Sequence, residues 1–213
     1  MNLSVLNKDN YIRLSIGFVL ILHVVGLIGI GVFKNQDIVN LTWINLSISF
    51  ILGLFYFKSS FKVWGLALLI AFLLGVITES IGVKTGLLFG DYAYSDLLGF
   101  KMFEVPFTIG LLWGSLNIAA KNLAQKITAN KYVVAVLAAL IMVIFDWVME
   151  PVATHLHFWD WQENVIPLYN YISWFFVSLV IQLLWRNSNT KNVYFDGLIW
   201  IQLLFFLGLY FLI

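Results

Sequence analysis

The stretch "YVVAVLAALIMVIFDWVMEP", residues 132–151, decides the class of fold. Residues 132–145 are apolar without a break, and Asp146 and Glu150 follow just before Pro151. The apolar run extends to about residue 149, near the ~17–25 residues that a membrane-spanning helix needs. Its two acids lie four residues apart and so share one helix face. Pro151 is expected to limit further regular helix. Two carboxyl groups that close in low-dielectric surroundings cannot both ionise cheaply. One of them is therefore expected to keep a proton at neutral pH and to act as a general acid. Asp146 lies a turn deeper than Glu150, and a carboxyl group inside a span normally faces a partner or a cavity.

Working outward, similar apolar runs fall at about 12–33, 41–57, 63–79, 103–120, 168–185 and 195–213. With 132–149 they predict an all-α polytopic bundle of about seven transmembrane helices, a single integral membrane domain over residues 1–213. The first run is too long for a signal-peptide core and lacks a small-residue cleavage site, so it is read as retained. Composition agrees: 62% of residues are hydrophobic, 11% are charged and mean hydropathy is +0.93. Soluble domains carry about 25% charged residues. A net charge of +1 gives no basic face for nucleic acid. The absence of cysteine excludes disulfides, thiolate metal sites and cysteine nucleophiles.

Lys8, Arg13, Lys58, Lys62, Lys121, Lys126, Lys131, Arg186 and Lys191 fall at the N-terminus or in alternate loops, against Lys34, Lys84 and Lys101 on the opposite side. Positive charge marks the cytoplasmic side. The expectation is a multi-pass protein of the cytoplasmic (inner) membrane, N-terminus inside and C-terminus outside. The acids run the other way. Asp37, Glu79, Asp91, Asp96, Glu104, Asp146, Glu150, Asp160 and Glu163 gather in the outer half, for which topology alone gives no reason.

Most of these acids belong to two polar segments, 79–106 and 146–174, which emerge on one membrane face. Glu79 ends the third apolar run and is a third candidate acid. Glu79 and Glu150 can also be read as helix-end acids at the water interface. Asp91, Asp96, Asp160 and Glu163 read as solvated loop acids. Glycines 82, 86 and 90 recur every fourth residue. They suit either close helix packing or a tight turn that returns Tyr92 and Tyr94 to the bundle. Tyr92, Tyr94, Trp113, Trp147, Trp159, Trp161, Tyr169, Tyr171 and Trp174 flank the acids. Singly they fit an interfacial aromatic belt; together they can line a pocket for a long apolar substrate and stabilise a cation. His23, His155 and His157 are too few for a di-iron site, and no metal ligand set is assigned. No dinucleotide fingerprint, P-loop or haem-attachment motif occurs, so redox-neutral chemistry without a cofactor is expected.

The combined pattern resembles a carotenoid biosynthesis family, that of γ-carotene 1′-hydratase and bisanhydrobacterioruberin hydratase. It comprises E-x-x-G-x-x-x-G-x-x-F-G-x-Y-x-Y at 79–94, VP at 105–106 with Trp113, D-x-x-x-E-P at 146–151, W-x-W at 159–161 and P-L-x-N-Y-x-x-W at 167–174. Ile166 before Pro167 departs mildly from the expected Val-Pro. The resemblance covers about residues 65–185. It implies a hydro-lyase that protonates C2′ of an acyclic ψ-end and lets water capture the tertiary cation at C1′. Glu79, Asp146 and Glu150 become the implied catalytic residues, with Asp146 expected to be the most sensitive. Tyr92, Tyr94, Trp113, Trp147, Trp159, Trp161, Asn170 and Trp174 become the implied substrate-binding residues. The implied partners are a carotenoid, water, membrane lipid and other enzymes of the pathway. A lycopene-type cyclase and a proton-coupled transporter are the competing readings, although the inverted repeats common in transporters are not evident.

Overall fold

The computed structural model describes residues 8–162 and 164–213. Glu163 lies outside the described residues. The chain is a helical bundle of membrane type. α1 (Lys8–Gly26) runs on into a π-helical stretch, Leu27–Val32, and the short α2 (Gln36–Asn40) leads to α3 (Thr42–Leu54) and α4 (Phe61–Thr85). Then come β1 (Tyr92–Tyr94), β2 (Lys101–Met102), β3 (Val105–Pro106), α5 (Phe107–Ala124), α6 (Lys131–His155), β4 (Trp159–Trp161), α7 (Leu168–Leu184) and α8 (Val193–Leu212).

Side-chain burial is inverted relative to a soluble bundle. On α4 the exposed positions include Leu66, Leu69, Leu73, Ile77 and Ile81; on α6 they include Val133, Val136, Leu140, Ile144 and Trp147. These are apolar stripes at helical spacing, facing outward where lipid would lie. α5 is the opposite case, packed among α3, α4, α6, α7 and α8 and buried along nearly its whole length. A helix enclosed by protein has no need of a lipid-compatible surface. α5 therefore tolerates Asn117, Lys121 and Asn122, and admits its neighbours at Gly110 and Gly114.

The four segments Asp9–Val32, Phe61–Thr85, Lys131–His155 and Val193–Leu212 are long and apolar enough to cross a membrane. α3, with 13 residues, rises only about 20 Å, short of the roughly 30 Å hydrocarbon core. It stops sooner than the 41–57 run predicts.

Two other expectations about helix ends are corrected. Glu79 does not end its helix: α4 continues to Thr85 and closes on Gly86, whose φ of +67° makes a left-handed cap and whose N–H bonds the Gly82 carbonyl at 2.8 Å. Pro151 does not stop α6, which runs on to His155. Its ring costs the helix one hydrogen bond, yet the following turn still forms. The glycine series divides between its two readings. Gly82 packs inside α4 against Phe89, whereas Gly86 and Gly90 adopt positive φ in the turn that leaves it.

Candidate functional site

The two polar segments meet as a small sheet. β1 pairs antiparallel with β4 in the register Tyr92–Trp161, Ala93–Asp160 and Tyr94–Trp159. Backbone bonds from Gln162 N–H to Asp91 O (2.9 Å) and from Ser95 N–H to Phe158 O (3.1 Å) extend the pairing at both ends. Strand side chains alternate faces. The four aromatics therefore share the inner face, while Ala93 and Asp160 face out and are exposed. Tyr92 packs on Trp161 with ring centroids 4.9 Å apart, and Tyr94 on Trp159 at 5.7 Å.

This aromatic plate delivers hydrogen-bond donors to two buried carboxyl groups. Glu79 is 3% exposed. Its Oε2 accepts from the Tyr92 hydroxyl and from the Tyr94 hydroxyl at 2.9 Å, and its Oε1 accepts from Trp113 Nε1–H at 3.0 Å. Glu150, also 3% exposed, accepts at Oε2 from Trp159 Nε1–H (3.1 Å) and Trp161 Nε1–H (3.0 Å). Burial, followed by the nearby Glu79 charge, holds the Tyr92 and Tyr94 phenols well above the usual tyrosine range, so both remain O–H donors.

Asp146 is wholly buried one turn deeper. Its Oδ2 accepts from Asn170 Nδ2–H at 2.9 Å, and its Oδ1 has no hydrogen-bond partner among the described residues. The described ion pairs are Lys101–Asp96, Lys126–Asp196 and His157–Asp160, and none involves the three buried acids. Three charges without a counter-ion in such surroundings would cost far more than holding a proton among them.

Two cavities meet at this cluster. One, of about 20 Å³, is lined by Glu79, Tyr92, Tyr94, Glu150, Asn170, Trp161 and Trp174 among others. That is room for about one water molecule, which needs roughly 10–15 Å³. The other, of about 240 Å³, is an apolar cleft between α1, α3, α5, α6 and α8. Ile109, Leu112, Met149 and Trp159 line both and form the wall between them. Asp146 lines neither; Asn170 stands between it and the smaller cavity.

The structure thus gathers Glu79, Glu150, Asp146, Tyr92, Tyr94, Trp113, Trp159, Trp161, Asn170 and Trp174. Trp113 is fully buried and stacks on Trp174 at 4.2 Å. Trp147 is not brought in. It is 65% exposed, because one residue past Asp146 on a helix points about 100° away, onto the lipid-facing stripe. His155 and His157 lie exposed at the end of α6, and His157 Nδ1 bonds Asp160 at 2.7 Å. The wall residues Ile109, Leu112 and Met149 carry no signal in the sequence, being apolar positions in apolar helices.

A family model described as carotenoid biosynthesis protein matches residues 39–212. The match reaches well past residues 65–185 and takes in all of α3 through α8, including helices whose sequences show only apolar character. No curated protein and no solved structure is significantly similar to the chain.

Proposed function

The chain belongs to the carotenoid biosynthesis protein family, and on that premise we propose that it is a hydratase of acyclic carotenoid ends. It adds water across the terminal C1′=C2′ double bond of a ψ-end. One observation carries the reading: a water-sized chamber between Glu79 and Glu150 shares a wall with an apolar cleft. At about 240 Å³ the cleft is smaller than the ~300–1,000 Å³ of pockets that enclose a whole ligand. It suits the end of a long isoprenoid whose remainder lies in lipid.

In this reading Glu150 is the acid. Both indole bonds go to Oε2, which leaves Oε1 without a partner among the described residues and free to carry and deliver a proton. Protonation at C2′ forms a C–H bond from the alkene electron pair and leaves a tertiary cation at C1′. Trp159, on the shared wall, faces that charge, and each desolvated ring is worth up to about 2 kcal/mol of cation–π attraction. Water in the chamber forms the C–O bond and releases a proton. Glu79, which already accepts three hydrogen bonds, suits the ionised role of orienting that water and taking its proton. Asp146 acts through Asn170 as a positioning residue. The sequence puts most weight on Asp146; we assign the donor role to Glu150 instead, because Asp146 bonds Asn170 and lines neither cavity.

No step requires a redox cofactor. We further infer seven passes through the cytoplasmic membrane, the short α3 being accommodated by local thinning of the bilayer, with the carboxyl cluster in the outer half. The deciding experiment is expression in a lycopene-producing host followed by mass spectrometry of the pigments. A product heavier by one water supports hydration. An isomer of unchanged mass, made by alkene capture of the same cation, would make the protein a cyclase, and unchanged pigment would remove the enzymatic reading.

A further inference from the structure

At the end of the bundle away from the acids, α5, α6, α7 and the loop after α7 surround another cavity, of about 390 Å³. Lys131 and Glu150 are separated by roughly 28 Å along α6 at 1.5 Å per residue, so this cavity and the carboxyl cluster are distinct sites. Lys121, Lys131, Arg186 and Lys191 line it, and no acidic side chain does among the described residues. The neighbouring Lys126 is outside it and paired with Asp196 at 3.1 Å.

Lys121 is the unusual member. It is 1% exposed, and its Nζ donates to the carbonyls of Trp185 (2.8 Å) and Ser188 (2.9 Å) at the C-terminal end of α7. Those carbonyls hold the ammonium but cannot neutralise it. Lys131 donates to Asn187 Oδ1 at 2.6 Å, and Arg186 donates to the Leu183 carbonyl at 2.8 Å while lying over the Tyr132 ring. Among the described residues, each of these cations has only neutral partners. The positive-inside preference accounts for basic residues at this end. It does not account for their closing around a cavity, or for a buried lysine without a counter-ion.

We propose that this cavity binds a phosphate group, either the headgroup of an anionic phospholipid or a free phosphate ester or pyrophosphate from the aqueous side. Fixed guanidinium and ammonium donors are the chemistry that recognises phosphate. The volume falls within the range of ligand pockets and exceeds what a single small ion fills. The inference is independent of the hydratase reading.

The test uses the full chain purified in neutral detergent. Native mass spectrometry reads retention of phosphatidylglycerol against phosphatidylcholine, and thermal unfolding reads stabilisation by pyrophosphate. Both are repeated with R186Q/K191Q, whose two side chains are exposed, and with the control K58Q/K62Q, whose lysines lie outside the cavity. Losing charge-assisted bonds should weaken binding about tenfold or more in the first variant and leave the control unchanged. Preferential retention of phosphatidylglycerol with that dependence assigns a lipid headgroup. A pyrophosphate shift with that dependence and no lipid preference assigns a soluble phosphate. If neither probe separates R186Q/K191Q from wild type, or if the control loses as much, the cavity is not a phosphate site.

Discussion

Glu150 and Asp160 are ten positions apart in the chain and illustrate how environment sorts one functional group into two uses. Asp160 is exposed on the outer face of β4 and bonds His157, whereas Glu150 is enclosed and bonds two indoles. Glu150→Gln keeps the shape and one carbonyl acceptor but removes the transferable proton. At equal membrane levels it should lower hydration by about 10²–10⁴-fold, while Asp160→Asn should change it little. Asp146→Asn should fall between them; if it instead costs more than Glu150→Gln, the donor role returns to Asp146. Tyr92→Phe withdraws a buried donor from Glu79 and should cost roughly 1–3 kcal/mol of stability, measured by thermal unfolding in detergent. Because burial raises both phenols, their neutral form outlasts the usual tyrosine range near 10. The pH profile of wild-type activity should therefore show no alkaline fall below that pH that Tyr94→Phe removes. At this scale the sequence was informative for the acids and their aromatic company, because polar residues in an apolar chain stand out. It could not rank them, since the proposed ranking depends on which carboxyl group lines the chamber.

At the scale of elements, period-two patterns were visible in Tyr-Ala-Tyr and Trp-Asp-Trp, each with its aromatics on one strand face. They cannot be read as paired strands from the sequence, because three residues are too few to announce a strand and the partner lies more than sixty residues away. Helix ends were not legible either. α4 and α6 extend by a turn or more beyond Glu79 and Pro151, and those turns bury only part of their surface, at Gly82 on α4 and at Val152 and Ala153 on α6. Close packing of α4 on α5 then fixes the indole that serves Glu79. A Cβ at Gly75 would lie 2.6 Å from Trp113 Cγ, a rigid ring atom. Gly75→Ala should displace Trp113, weaken its 3.0 Å bond to Glu79 and cost about 1–3 kcal/mol by overpacking. Gly17→Ala, where nothing lies within 4 Å, should be neutral or stabilise slightly. Thermal unfolding of the two variants side by side checks the contrast.

For the whole molecule, the apolar runs were enough to predict a membrane bundle, since lipid-facing stripes need apolar side chains whatever the interior holds. The central place of α5 was not legible, because a helix shielded on every side is released from that demand and can carry amides and a lysine. Seven passes imply that reporter fusions after residues 60, 95, 127 and 160 alternate inside, outside, inside, outside. Fusions that place 95 and 160 on opposite sides would contradict the β1–β4 sheet, whose strands must emerge on one face. The single wall that separates chamber from cleft also has a stereochemical consequence. In the proposed mechanism Glu150, which lines the chamber, and the captured water both act from that side, so a planar alkene whose end meets the chamber offers them the same face. Hydration should be a syn addition. With a substrate carrying one labelled terminal methyl group, reaction in deuterium oxide should place deuterium at C2′ and oxygen at C1′ on the same side, giving one diastereomer rather than a mixture.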